Sequence, residues 1–237
     1  MVCKECVDVG FTWDGEPVGK EVDLNGIKAY VAMPAKETNK AVILASDVFG
    51  YDKKNPRLYA DRLAEAGFLA VLPDLIKGDP MTNFAEKDAW LARHPFDEVE
   101  SMLTSVLEAV AKDHGATSFG VVGFCWGGHF AAKLAATDNV KAVVINHGSM
   151  LKQEHIDALK QPALFNCNEN DPQIPDEFRA RIWETLKAKD NGSAVNLFLG
   201  KGVTHGFSLR GDDKDPVVSQ AAKAAFVAGA DFFSHYL

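Results

Sequence analysis

The chain predicts an α/β fold in which a mostly parallel sheet carries helices on both faces, and three observations support it. Short β-rich runs alternate with helical patterns along the chain, as they do where crossover helices link parallel strands. The runs AVILA (41–45) and FGVVGF (119–124) are apolar without alternation, which suits strands covered on both faces. In 98–114, Val99, Met102, Leu103, Val106, Leu107 and Val110 recur at three- and four-residue intervals, the period of a helix with one buried stripe.

Strands are expected at 27–33, 41–46, 68–72, 119–123, 140–146, 163–167 and 195–199. Helices are expected at 57–66, at 98–114 with Asp97 as N-cap, at 126–136, at 175–189 and at 217–236. The stretch 73–95 is irregular, with Gly78, Pro80 and a short helical piece around Trp90. In an α/β sheet such an excursion often forms a lid or pocket wall, because ligands sit beyond the carboxyl ends of the strands. No repeat, low-complexity linker or composition shift divides the 237 residues, so one domain over 1–237 is expected.

A chain of this length can bury about 70–75% of its unfolded surface, so it needs neither disulfide nor metal for stability. Its 25 Lys and Arg against 33 Asp and Glu leave a formal charge of −8, which argues against nucleic acid and anionic membranes as partners. An anionic substrate would need a local basic anchor. No apolar run approaches the roughly 18 residues of a membrane span, and MVCKECVDVG lacks the apolar core of a secretory signal. Four cysteines are too sparse for a disulfide scaffold, and the expected location is cytoplasmic. Cys3 and Cys6 form one C-x-x-C with no second pair to complete a zinc site, so a solvent-facing N-terminal segment is expected there. The histidines show no metal-binding spacing either. No metal or organic cofactor is expected.

The segment FGVVGFCWGGHF (119–130) carries the chemistry. An apolar strand runs into G-x-C-x-G and then a helical pattern, which is a nucleophile elbow with cysteine in the serine position. The glycines on either side allow close approach of strands and helix while the nucleophile stands above the sheet on a strained turn. Cys125 would then sit at a helix N-terminus, where negative charge is favoured, and the Trp126 N–H would face a developing oxyanion. Asp171 lies in the turn-rich loop LFNCNENDPQIP (164–175), ahead of a proline that keeps it extended. His205 lies between Gly202 and Gly206 in KGVTHGF (201–207), after the last strand. Nucleophile, acid and histidine follow one another in the α/β-hydrolase order. His129, four residues beyond Cys125, is expected to pack or face solvent.

With these residues in view, the chain resembles the dienelactone hydrolase (carboxymethylenebutenolidase) family, and its eukaryotic branch more than the bacterial one. The matching segments are DVFG (47–50), LPDL (72–75), GFCWGG (123–128), ENDPQIP (169–175) and THGF (204–207), in that order. The resemblance implies Cys125 as nucleophile, His205 as base and Asp171 as the acid that orients it. It also implies an oxyanion hole from the Val48 and Trp126 N–H groups. The bacterial enzymes carry glutamate at the position of Asp47, and the resemblance implies a gate there that holds the thiol neutral until substrate binds. It further implies a carboxylate-binding arginine shortly after the histidine. Arg210 is the candidate, five residues on where the bacterial spacing is four. Trp90 and Arg93 are further pocket candidates.

The expected activity is hydrolysis of small esters or lactones, including carboxylate-bearing ones, through an acyl-enzyme, by a monomer or weak homodimer. A thioesterase or acyltransferase on the same triad, a glycoside hydrolase using Asp47 and Asp171, and a non-catalytic binding module are the rival readings.

Overall fold

The apolar runs become the middle of an eight-stranded sheet ordered β1-β2-β4-β3-β5-β6-β7-β8. The structure is a computed structural model that describes residues 14–237. Cys3 and Cys6 lie outside the described residues. The strands are β1 (Lys20–Leu24), β2 (Ile27–Ala32), β3 (Lys40–Ala45), β4 (Leu69–Pro73), β5 (Ser118–Phe124), β6 (Ala142–Asn146), β7 (Ala163–Asn168) and β8 (Ala194–Phe198). β2 pairs antiparallel with β1 and with β4, and every other neighbouring pair is parallel. With helices on both faces, this is the α/β-hydrolase fold.

Successive residues of a strand point to opposite faces, and that explains the unalternated runs. Ala41, Ile43, Ala45 and Val121 enter one core layer, while Val42, Leu44 and Val122 enter the other. The first layer is covered by α3 (Phe96–His114), α4 (Gly127–Ala135), the short α5 (Gln153–Asp157) and α6 (Asp176–Lys189). The second is covered by α1 (Lys54–Glu65) and α8 (Pro216–Tyr236). Among the described residues no helix is long and apolar enough to cross a membrane.

Three local expectations need correction. β1 was not expected, yet Asn25 and Gly26 both have positive φ (54° and 83°), so they form the tight turn of a hairpin that adds β1 at the sheet edge. Asp97 is not the N-cap of α3. The helix begins at Phe96 with Pro95 in the capping position, and Asp97 falls in the first turn, where its charge still suits the helix dipole. Finally, α1 starts before residue 57, with Pro56 inside its first turn, where a missing N–H costs nothing.

The elbow explains why its glycines are small. A Cβ on Gly123 would run into the Gly127 carbonyl, and one on Gly127 into the Ala45 carbonyl of β3. A Cβ on Gly128 would come 2.9 Å from the Gly148 Cα in the loop after β6. These contacts are to backbone, which cannot rotate away. Gly127→Ala is therefore expected to cost about 3 kcal/mol or more, read as a lowered midpoint in urea with an unchanged slope.

Candidate active site

β5 is central, and the chain leaves its carboxyl end in a turn that puts Cys125 at φ 53°, a left-handed conformation that side chains rarely adopt. Two backbone hydrogen bonds hold that turn: the Cys125 N–H donates to Asn146 O (3.2 Å), and the Ser149 N–H donates to Cys125 O (2.8 Å). α4 starts immediately after, so the sulfur sits at its N-terminal end, and the Trp126 N–H reaches the sulfur.

The loops after β7 and β8 leave the same edge of the sheet. A parallel bridge between Asn170 and Thr204 ties them together, and Asn168 Nδ2 donates to Val203 O (3.1 Å). Asp171 and His205 thereby meet, with His205 Nδ1 2.9 Å and 3.0 Å from the two Asp171 oxygens. The Gln173 N–H also donates to Asp171 Oδ1 at 2.8 Å. Gly206, at φ 92°, turns the chain into α7 (Phe207–Arg210). On the other side His205 hydrogen-bonds to Cys125, and Cys125 Sγ lies 3.6 Å from Ser149 Oγ. Cys125, Asp171 and His205 are all buried.

Burial alone would push the Cys125 thiol up. The His205 charge, hydrogen bonds from His205 and Ser149, and the Trp126 N–H outweigh it and bring the thiol below its ordinary value. Burial likewise works against a charged His205. Cys125 and the Asp171 carboxylate overcome it and raise the imidazole to about 10. Both directions favour a thiolate beside an imidazolium. Among the described residues one further cysteine is buried, Cys167 on β7, and it contrasts: burial, with Asp171 adding to it, raises its thiol to about 12 despite the Arg179 charge, and leaves it inert at neutral pH.

A cavity of about 50 Å³ opens over Cys125, lined by Val48, Phe49, Met81, Phe84, Lys87, Leu91, Trp126, Ser149, Met150, Gln173 and Arg210. Four of these come from the irregular stretch 73–95, which forms a pocket wall as expected of it: Met81, Phe84 ahead of α2 (Lys87–Arg93), and then Lys87 and Leu91 of α2.

Two candidates from that stretch fall elsewhere. Trp90 is buried behind the wall, with its Nε1–H donating to Asp79 O (2.8 Å) and its ring edge-on to Trp126 (5.3 Å). Arg93 is at the surface, paired with Asp79 at 2.8 Å. The helical period of α2 puts Leu91 and Lys87 toward the cavity, and Trp90 and Arg93 point away from it.

Asp47 and Arg210 do come together. They form a salt bridge between the buried Asp47 and the partly buried Arg210, and Asp47 Oδ1 also accepts the Phe49 N–H at 2.8 Å. The Asp47 carboxylate thus faces Arg210 rather than the thiol, whose neighbours are His205, Ser149 and Trp126. His129 is buried, with Nδ1 3.1 Å from Met150 O, so it props the turn that carries Ser149.

Sequence reasoning missed Ser149, whose only signal is its place two residues beyond His147 at the end of a strand. It also missed the support beneath the histidine loop. There His147 Nε2 meets Ser208 Oγ at 2.7 Å, and Asn55 Nδ2 donates to Leu209 O at 2.6 Å.

Comparison with known proteins identifies the family. The model of the dienelactone hydrolase family matches residues 27–237. A carboxymethylenebutenolidase homolog of Mus musculus is 33% identical over 86% of this chain and 84% of its own. Hydrolase pyvD of Aspergillus violaceofuscus is 28% identical over 98% of this chain and 96% of its own. The crystal structure of a dienelactone hydrolase from Klebsiella pneumoniae, described there as putative, superposes with a TM-score of 0.78 over 92% of this chain and 99% of that one, at 23% identity. The likeness in fold, the family match over nearly the whole chain and the identity to the mouse protein lead to one conclusion: this chain belongs to the dienelactone hydrolase family of hydrolases.

Proposed function

We propose that the protein hydrolyses small esters or lactones through a thioester on Cys125, with His205 as acid and base and Asp171 as its orienting carboxylate. The observation that carries this reading is the unbroken contact from sulfur to imidazole to carboxylate at the floor of a cavity, with the thiol lowered and the imidazole raised.

The Cys125 thiolate attacks the acyl carbon, and an Sγ–C bond forms as the carbonyl electrons move to oxygen. The Trp126 and Val48 N–H groups hold that oxyanion, each such donor being worth about 3–4 kcal/mol in rate. On collapse the acyl C–O bond breaks, and the alkoxide takes the proton of the His205 imidazolium. In a lactone this opens the ring and the alcohol stays attached. The now neutral His205 takes a proton from water, the hydroxide adds to the thioester, and the acid leaves as the thiolate–imidazolium pair is restored. Asp171 keeps Nδ1–H bound, so that Nε2 faces the reacting atoms throughout.

A glycoside hydrolase on the same residues is disfavoured, because both carboxylates it would use are committed, Asp171 to His205 and Asp47 to Arg210. The test is rapid acid quenching during turnover of 4-nitrophenyl butyrate, followed by peptide mass mapping. The peptide holding Cys125 is expected to carry a butyryl group. Turnover with acyl on another residue, or on none, would reject the thioester.

A further inference from the structure

The turn after β6 is strained on both sides of Ser149. His147 and Met150 have positive φ (38° and 58°), so with Cys125 they make three of the six left-handed non-glycine residues among those described. Backbone of this kind persists only where its surroundings over-determine it, and it gathers at functional sites. Here each side of the turn is anchored. The His147 N–H donates to Asn166 O (2.9 Å) and His147 Nε2 meets Ser208 Oγ, while His129 Nδ1 lies 3.1 Å from Met150 O.

Between these anchors Ser149 meets Cys125 twice. Its N–H donates to the Cys125 carbonyl at 2.8 Å, and its hydroxyl oxygen lies 3.6 Å from the sulfur, within hydrogen-bonding reach of so large an atom. Ser149 is buried and lines the cavity together with Cys125. A thiolate has no proton to give, so beside the ionised sulfur the hydroxyl is the donor.

We propose that Ser149 is a further catalytic residue, whose hydroxyl donates to the Cys125 sulfur whenever it carries charge, at rest and again as it leaves the acyl group. This rests on the cysteine-hydrolase reading and adds a residue to its machinery. In the attack a sulfur electron pair becomes the Sγ–C bond, and the hydroxyl loses its charged acceptor. In deacylation that bond breaks, its electron pair returns to sulfur, and the hydroxyl donates to it once more. A hydrogen bond to an anion is stronger than one to a neutral group. Ser149 therefore raises the thiolate share while making each thiolate less reactive. The lowered Cys125 thiol fits this: burial opposes the shift, and the His205 charge with the hydrogen bonds from His205 and Ser149 outweighs burial.

The titratable and charged groups around the site are His205 with Asp171 behind it, His147 edge-on to His205 (5.2 Å), His129 beneath Met150, the Asp47–Arg210 pair, and Lys87 in the cavity wall. Ser149→Ala leaves all of them in place. It removes one oxygen and keeps the N–H bond to Cys125.

The experiment is iodoacetamide alkylation of Cys125 against pH in wild type, Ser149→Ala and Ser149→Thr, with peptide mass separating Cys125 from the other cysteines. The half-point of Ser149→Ala is expected about one pH unit higher, the worth of one hydrogen bond to a charged group. The more basic thiolate is also more nucleophilic, by about threefold for that shift. The two curves should therefore cross. At low pH the variant is slower by about threefold, since about tenfold less thiolate is partly offset by its higher reactivity, and at high pH it is faster by about threefold. Ser149→Thr keeps the hydroxyl and should follow the wild type. A Ser149→Ala curve that is slower at every pH with an unmoved half-point makes the residue a prop for the turn, and one that coincides with the wild type leaves the contact idle. Either overturns the proposal, as does a Ser149→Thr curve that follows Ser149→Ala. Failure of the cysteine reading is seen separately, as iodoacetamide-treated wild type that still hydrolyses 4-nitrophenyl butyrate.

Discussion

Cys125→Ala is expected to lower kcat/KM for 4-nitrophenyl butyrate by at least about 10⁴-fold, because the reading gives the chain no second nucleophile. The fold should survive. The substitution removes one sulfur from the elbow and keeps its backbone, including the left-handed turn at φ 53° and the hydrogen bonds to Asn146 and Ser149. A circular dichroism spectrum and a melting point within a few degrees of wild type, on the order of 1 kcal/mol, would establish that. Residual turnover within about tenfold of wild type would show that another group attacks the ester.

His205→Asn has the second-largest expected effect, a loss of about 10³–10⁴-fold in kcat. It should also alter stability, which a bystander histidine would not do. Asp171 is buried and gives both carboxylate oxygens to His205, so removing the imidazole strands a buried charge with the Gln173 N–H as one remaining donor. The melting point should fall. Adding Asp171→Asn should recover much of it without recovering activity. Full activity in His205→Asn would assign the proton transfers to another group.

The pH profile follows from the two shifts. Catalysis needs the thiolate, and the Cys125 thiol lies below its ordinary value, so the rate should persist as pH falls through the normal thiol range and decline only at the lowered value. His205 must be protonated to deliver the leaving-group proton, and its imidazole is raised to about 10, so an alkaline decline is expected near there.

Much of this site was legible because its chemistry is carried by local signals in a fixed order. G-x-C-x-G lies between an apolar strand and a helical pattern, with an acid and a glycine-flanked histidine in the loops that follow. Parallel strands then bring those loops to one edge of the sheet, so positions far apart in sequence meet at Asp171 and His205. What was not legible depends on direction rather than on residue type. Trp90 and Leu91 are adjacent in the chain, yet one packs behind the wall and the other lines the cavity, because a helix turns about 100° per residue. Asp47 and Arg210 are separated by most of the chain, and nothing in either segment states that they pair. Ser149 was silent because a serine after a strand is ordinary loop composition. The β1–β2 hairpin is different, since Asn-Gly between KEVDL, where Val22 and Leu24 alternate with charged residues, and IKAYVA is a strong turn signal.

The proposed chemistry needs a sulfur that is ionised at rest, which the commitment of Asp47 to Arg210 permits without substrate. The most direct measurement is the rate of iodoacetamide alkylation of Cys125 against pH, with no substrate present and the modified peptide identified by mass. The half-point should lie clearly below the ordinary thiol value of 9.0, and His205→Asn should move it upward. A half-point at or above that value in the wild-type protein, unmoved by His205→Asn, would contradict the account.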